Sequence, residues 1–447
     1  STSSAAIGLS IGDDVGSTGN SVLVTGTGSN LSISASSTSR GYIYVGNLGS
    51  SNSLTITDGA TVNVNRILAG NLGGHNNITI SQGAKVTSSS GGFGAGRSDS
   101  NTYGNDNTGL LTGAGSSWTS SGTFTVGGAG SRNSFTVSAG AAFTSGSTAL
   151  GSGQTVADAS FGNYNTMLVT GSGTTMDNST GRTTVGVSGA NNSFTLSAGA
   201  TATSLQFSIG AGGNFATGLG SSNKVIITGA TTDWKSSTYA YVGSYGSSNS
   251  LSILDGAKFT TGTNGGTSSV SIIGRGDVIS NTGGYGASNT VKISGTGSTW
   301  DNQSGLKVGE QGSGNLVEIS AGGKMTTAGD VNVGELSNSS NNGIRISGAN
   351  STWQSSGAVQ IGAAGNEGNH LRVEDQSLAM LGGSFTVSTG NFLQIGSGYL
   401  ALLGDQQLLL AGLLSSASIQ VGGGNTWSTA DSSDLSITYF APGADTS

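Results

Sequence analysis

Along most of the chain, apolar residues alternate with small polar ones in short bursts, and glycine closes each burst. The stretch "GSSNSLTITDGATV", residues 49–62, places Leu54 and Ile56 two apart after Asn52, turns through Asp58 and Gly59, and resumes at Val62. "GSRNSFTVSAGAAF", ending at Phe143, and "GSSNSLSILDGAKF", ending at Phe259, repeat the phrase with Asn, the alternating apolar residues and Gly in the same places. A period of two sends every second side chain to one face of an extended strand, so each phrase predicts two short strands about a turn. A third burst follows and ends on glycine: "YIYVG" at Gly46, "TFTVG" at Gly127, "YAYVG" at Gly243, "GLKVG" at Gly309 and "AVQIG" at Gly362.

Alignment on the Asn before each apolar pair yields fourteen positions: Asn20, Asn52, Asn76, Asn107, Asn133, Asn165, Asn192, Asn223, Asn249, Asn289, Asn315, Asn342, Asn369 and Asn391. Their spacings run from 22 to 40 residues, the range of solenoid coils. Units of two kinds alternate through most of the chain. One reads Gly-x-Gly-Ser-x-Trp with its large residue eleven after the Asn, at Trp118, Trp234, Trp300 and Trp353, with Leu31 and Met176 as substitutes. The other reads x-Gly-Ala-x-apolar with the large residue ten after the Asn, at Val62, Val86, Phe143, Ala202, Phe259 and Met325. Three short strands per coil with length variation gathered at one corner predict an all-β, single-stranded parallel β-helix of about fourteen coils. At a strand spacing of about 4.8 Å, thirteen steps amount to a rod of about 60 Å.

The repeat occupies residues 20–398. Residues 1–19 match only the third strand of a unit, a partial first coil and a candidate interaction segment. Residues 399–447 depart from the phrase: a Leu-rich insertion, expected to cap the core as a short helix after Asp405, precedes Val421 and a terminal alternating strand, "DLSITYF". Incomplete coils at both ends predict head-to-tail polymerisation, because unpaired strand edges template further pairing.

Composition sharpens this picture. The 81 glycines, with abundant Ser, Thr and Asn, would suit a disordered chain, but the 34% of hydrophobic residues fall in alternating groups, and Pro442 is the only proline. Charge is sparse, 15 basic against 22 acidic residues, so no basic patch is available to replace phosphate counterions and no nucleic-acid partner is expected. Cysteine is absent, which removes disulfides and thiolate metal sites. The most apolar run, Leu408 to Leu414, is far shorter than the roughly 20 residues of a membrane helix. The opening residues "STSSAAIGLS" do not resemble a signal peptide, so the expectation is a processed, mature chain or an intracellular one.

The recurrent Asn is the leading candidate for a dedicated role. Held at one corner of successive coils, its amide can donate to and accept from the amides above and below, a ladder along the stack. The plainer alternative is that Asn tolerates a left-handed corner. The Trp series reads as core filling, since Leu31 and Met176 replace Trp where sugar stacking would not allow it. An outward column three residues after the Asn, Lys292, Glu318, Arg345 and Arg372, reads as solvated charge, with a ligand-binding stripe as the alternative. No carboxylate cluster suited to glycan hydrolysis or lysis appears, since Asp13 with Asp14, Asp99, Asp106 and Glu374 with Asp375 are scattered in turns, and no enzymatic activity is expected. His75 and His370 lie ten repeats apart, too far to share an ion, and no cofactor or metal is expected. Asn-x-Ser/Thr triplets at Asn178 and Asn302 are what this composition produces by chance.

The element Thr/Ser-Gly-x-Gly-Ser-x-Trp, seen as "TGAGSSW" and "SGTGSTW" and followed by "VG" and then "SGN" or "SSN", resembles the repeats of autotransporter-type bacterial surface proteins. The tail from "GSGYLALLG" to "ITYF" is similar to the end of large exported β-helical proteins. The resemblance covers nearly the whole chain and implies export, a right-handed β-helix and a surface or adhesive role. No C-terminal β-barrel translocator and no Pro-Glu-Pro sorting tail is found within these residues, so the expectation is that such a segment has been removed or that the chain is not an autotransporter. Together these readings lead to the expectation of a secreted bacterial structural protein, extracellular or on the cell surface, the head-to-tail homopolymeric subunit of a filament, sheath or matrix. A monomeric adhesin or passenger stalk that binds cell-surface polysaccharide or proteins is the alternative, and a polysaccharide-degrading enzyme comes third.

Overall fold

A computed structural model describes residues 8–402, apart from 36–39, 95, 97–103, 154–160, 212–219, 265–268, 277–284, 337, 364 and 396–397. Beyond 402 it describes the backbone of five short strands. The chain forms two compact units, residues 1–226 and 227–447. Both are all-β, each is a parallel β-helix, and the coils number about fourteen over the two.

In the first unit, the strands that follow each ladder Asn stack in order: Ser21–Thr25, Ser53–Thr57, Asn77–Ile80, Thr108–Thr112, Ser134–Ser138, Thr166–Thr170 and Ser193–Ser197, each parallel to the next. Their inward residues, such as Leu54 and Ile56 or Phe135 and Val137, are fully buried, while the residues between them face outward. The second and third strands of a coil run on as one bent strand, as in Thr61–Ala69, Ser117–Val126 and Thr175–Val185. Where coils differ in length, the register shifts at the bend, between Ser120 and Thr123 for example. Leu9–Ile11 pairs with Ile43, Tyr44 and Val45, so this segment does occupy the third-strand position. In the earliest coil Val22, Val24, Leu31 and Ile33 are only half-buried, whereas Leu54, Ile56, Val62 and Val64 one coil on are buried.

The second unit keeps all three strands separate. Ser250–Leu254, Thr290–Ser294, Leu316–Ser320, Gly343–Ser347, His370–Glu374 and Phe392–Ile395 form one parallel stack. Lys258–Thr261, Thr299–Asn302, Lys324–Thr327, Thr352–Ser355 and Leu378–Leu381 form another. Val270–Ile273, Gly305–Val308, Val331–Val333, Val359–Ile361 and Phe385–Val387 form a third. The expected helix after Asp405 is not found. Asp405 itself lies outside the described residues, and the Leu-rich segment is extended, with Gln407–Leu410 and Leu413–Ser415 pairing onto Phe385–Val387 and Phe392–Gln394. Continuing an existing ladder gives the backbone groups of these residues partners on the preceding coil, whereas a helix of one or two turns would carry its nucleation cost without neighbours to repay it.

The two kinds of unit differ at the first corner. Asp58 and Gly59 both take positive φ (53° and 75°), a two-residue turn of the primed type. In the Trp-bearing coil Gly113 and Gly115 (91° and 81°) flank Ala114, one residue more. The extra residue restores register, so Trp118 pairs with Val86 on one side and Phe143 on the other despite offsets of eleven and ten.

Candidate functional site

The fourteen asparagines lie directly over one another within each unit. In the first, the backbone N–H and the Nδ2 of one Asn both donate to the Oδ1 of the next, from Asn20 through Asn52, Asn76, Asn107, Asn133, Asn165 and Asn192 to Asn223. The second unit repeats the pattern from Asn249 through Asn289, Asn315, Asn342 and Asn369 to Asn391. Backbone donors lie 2.8–3.0 Å away and side-chain donors 2.9–3.1 Å. At several corners the remaining Nδ2 hydrogen goes to a turn carbonyl, that of Asn105 for Asn107 and of Ser131 for Asn133. All these side chains are buried except that of Asn20. Without this amide, the backbone N–H at each corner would be desolvated with no partner.

The left-handed residue is not the asparagine but the one before it. Ser51, His75, Asp106, Arg132, Tyr164, Asn191 and Ser222 take φ of 58–59°, and Ser248, Ser288 and Asn341 take 56–59°. The corner therefore tolerates many residue types at the strained position and demands Asn at the next, for the amide itself. The glycine that closes each third strand has a matching reason. At Gly46, Gly127 or Gly309, a Cβ would fall inside the amide of Asn76, Asn165 or Asn342, and φ there is also positive (72–75°).

Trp118, Trp234, Trp300 and Trp353 point inward and are at most 1% exposed. Met176 occupies the same buried column as Trp118 and Phe143. A second inward column, two residues on, was hidden in the abundance of Ser and Thr: Ser88, Ser120, Ser145, Asn178 and Ser204 in one unit, Ser236, Thr261, Asn302, Thr327 and Ser355 in the other. It receives the indole N–H groups. Trp118 Nε1 donates to Ser88, Trp300 to Thr261 and Trp353 to Thr327, each at 3.1 Å and each in the preceding coil. The triplet asparagines Asn178 and Asn302 belong to this column and are 0% exposed. Hydroxyls of Ser145 (2.7 Å) and Thr183 (3.0 Å) hold the Asn178 amide, and Asn302 donates to the Ser304 and Gly305 carbonyls. Neither amide is accessible for glycan attachment in the folded chain.

The outer faces of the two units differ. In the first, the strands Ser53–Thr57 to Ser193–Ser197 carry only Ser, Thr, Asn and Leu outward, with Ser138 bonded to Thr112 and Ser197 to Thr170 at 2.9 Å. In the second, Lys292, Glu318, Arg345 and Arg372 are in register, as their spacing suggested. Lys292 meets Glu318 at 3.9 Å, while Arg345 turns to Glu374 at 2.9 Å. Arg372 lies 5.3 Å over the ring of Phe392, on which His370 stacks at 5.1 Å. Burial lowers the pKa of His370 below its ordinary value, outweighing its contact with the Gly368 carbonyl.

A further charged cluster escaped the sequence reading. Lys307 reaches Glu310 at 2.8 Å and Glu335 at 2.7 Å, and Arg275 lies 3.6 Å from Glu310 and 5.4 Å over the ring of Tyr241. Burial works against the Lys307 charge, but the two carboxylates prevail and its pKa is raised. Beside it a groove opens between residues 269 and 332. His75 sits at a corner of the first unit and His370 on a strand of the second. Among the described residues, no three His, Cys, Asp or Glu side chains are grouped to hold a metal ion. No family model, curated protein or solved structure matches the chain.

Proposed function

We infer that the protein is a structural β-solenoid, exported to the cell surface or beyond, where it serves as the subunit of a filament, sheath or matrix assembled by end-to-end stacking. The directional asparagine ladder carries this reading. Between Asn20 and Asn223, and between Asn249 and Asn391, each Asn donates toward the next coil and accepts from the one before, as in the Asn133–Asn165–Asn192 series, so the stack has a direction that a head-to-tail neighbour would continue. Strand edges at the end of a solenoid pair with whatever matching edge they meet, and a second copy of the same repeat presents parallel strands of the same period. The sparse charge, 8% of residues, leaves little repulsion between copies. The likeness of the repeats to those of exported bacterial surface proteins supports the location.

The test is negative-stain microscopy of the purified full chain over rising concentration, with sedimentation velocity in parallel. Unbranched filaments with a regular axial repeat are expected. Particles that stay single at every concentration refute end-to-end assembly and favour the monomeric stalk.

A further inference from the structure

The groove in the second unit is built by three neighbouring coils, where Val270 pairs with Gly305 and Lys307 with Asn332. Its volume is about 490 Å³, within the range of small-molecule sites. The floor is apolar. Gly305 has no side chain, and a Cβ there would stand 3.0 Å from the Asp330 carbonyl and 3.6 Å from a Val270 methyl. Its absence leaves Val270 half-exposed, and Ala328 and Gly329 continue the strip. The wall is anchored from beneath by Asn302, whose amide fixes the Ser304 and Gly305 carbonyls at 3.2 and 3.1 Å.

The rim is polar. Lys307 is its cation, already held by Glu310 and Glu335, so it does not offer an uncompensated charge to an anion. Asp330 is its anion, with Oδ1 accepting the Ala358 N–H at 2.9 Å. Gln303 donates to Asp301 at 2.9 Å, which orients the amide and leaves its carbonyl as an acceptor. Asn332 adds a second amide. An apolar strip edged by amides, one carboxylate and a lysine already paired fits a ring with one C–H face and a rim of hydroxyls. It does not fit a phosphate or a carboxylate sugar, which the Asp330 charge repels and no free cation would hold, and one carboxylate is too few to hold a metal ion.

We propose that this groove binds a neutral polysaccharide segment, one pyranose ring lying on Val270, Gly305 and Ala328 with its hydroxyls on Gln303, Asp330 and Asn332. The proposal goes beyond the assembly reading and does not depend on it, because a single copy holds the whole groove. In a matrix subunit, such a groove would tie the protein lattice to a carbohydrate one.

Isothermal titration of the full chain with cello-, xylo-, laminari- and chito-hexaose tests it, with oligogalacturonate as the charged comparison. Saturable one-to-one binding to at least one neutral hexaose is expected, weakened at least about tenfold by Ala328→Trp, which fills the groove from an exposed position, and by Asn332→Ala. Far-UV circular dichroism and the melting temperature report whether each variant is folded, and Asn332→Ala decides the matter if Ala328→Trp is not. The proposal is overturned if no neutral hexaose binds at millimolar concentration, if both folded variants bind as the parent does, or if oligogalacturonate binds more tightly. Failure here leaves filament formation untouched, so the two readings fall separately.

Discussion

Substitution of one mid-ladder asparagine tests whether the amide column holds the coils together. In Asn165→Ala three interactions vanish: Oδ1 no longer accepts from the Asn133 N–H (2.9 Å) or from Asn133 Nδ2 (3.1 Å), and Nδ2 no longer donates to Asn192 (3.0 Å). The Asn133 N–H is left buried without a partner, at about 1–3 kcal/mol, and the two amide bonds are worth about 1 kcal/mol each. The expected loss is about 3–5 kcal/mol, against about 0.5 kcal/mol or less for Asn63→Ala, an exposed asparagine with one long bond at 3.3 Å. Because stacked repeats unfold in pieces, urea denaturation is best paired with hydrogen exchange at the Asn133 amide, which should lose its protection selectively. Gly127→Ala supplies an independent arm. Its Cβ would enter the Asn165 amide, and φ there is +72°, so alone it should cost more than the about 1–2 kcal/mol of a left-handed alanine. In the Asn165→Ala background the collision disappears and only that backbone cost remains, so the double variant should lie above the sum of the singles by about 1 kcal/mol or more. If Asn165→Ala matches Asn63→Ala and Asn133 stays protected, the ladder is ornament and the reasoning fails.

Other consequences follow from the same geometry. Thr327→Val keeps the shape but orphans the Trp353 indole N–H, at an expected cost of about 1–3 kcal/mol; combining it with Trp353→Phe should recover part of the loss in the denaturation midpoint, and full additivity would contradict the pairing. The folded state holds His370 neutral with a depressed pKa, so the unfolded chain binds the extra proton, and stability should fall as pH drops through the ordinary value of 6.5 toward the lower folded one. His370→Gln should flatten that slope in pH-dependent melts, and an unchanged slope counts against the assignment. Glu335→Gln removes one of the two carboxylates on Lys307; these groups are partly exposed, so the loss should stay near 1 kcal/mol or below and shrink in high salt, whereas a salt-independent change would point to packing.

Much of the architecture was legible along the chain because a solenoid turns sequence period directly into spatial adjacency. Alternation of apolar residues specifies which side chains face the core, and residues recurring at the same phase come to lie over one another, which is why Asn133, Asn165 and Asn192, or Lys292, Glu318, Arg345 and Arg372, could be placed in columns before any coordinates. The different offsets of Trp118 and Phe143 were visible but unexplained, since the one-residue difference at the corner appears only in the backbone angles of Asp58 and Gly59 against Gly113 and Gly115. The second inward column was invisible because Ser and Thr are common everywhere and nothing along the chain marks Ser88 or Thr327 as the partner of an indole one coil away. The Lys307, Glu310 and Glu335 cluster was legible but overlooked, since Arg275, Glu310 and Glu335 each directly follow the glycine that closes a third strand, at Gly274, Gly309 and Gly334; the groove beside it was not, because it depends on what surrounds Gly305 in space.

The Leu-rich segment after residue 406 marks the limit of local pattern: read by itself it suits a helix, and only the open strand edges of Phe385–Val387 and Phe392–Ile395 draw it into the sheet. Sequence by itself thus determined the repeat, the strand faces and the residue types that stack, because each depends on period. Tertiary structure alone decided which atoms pair, which residue takes the strained corner and where a missing side chain leaves a groove, because each depends on what neighbouring coils bring close and not on position along one.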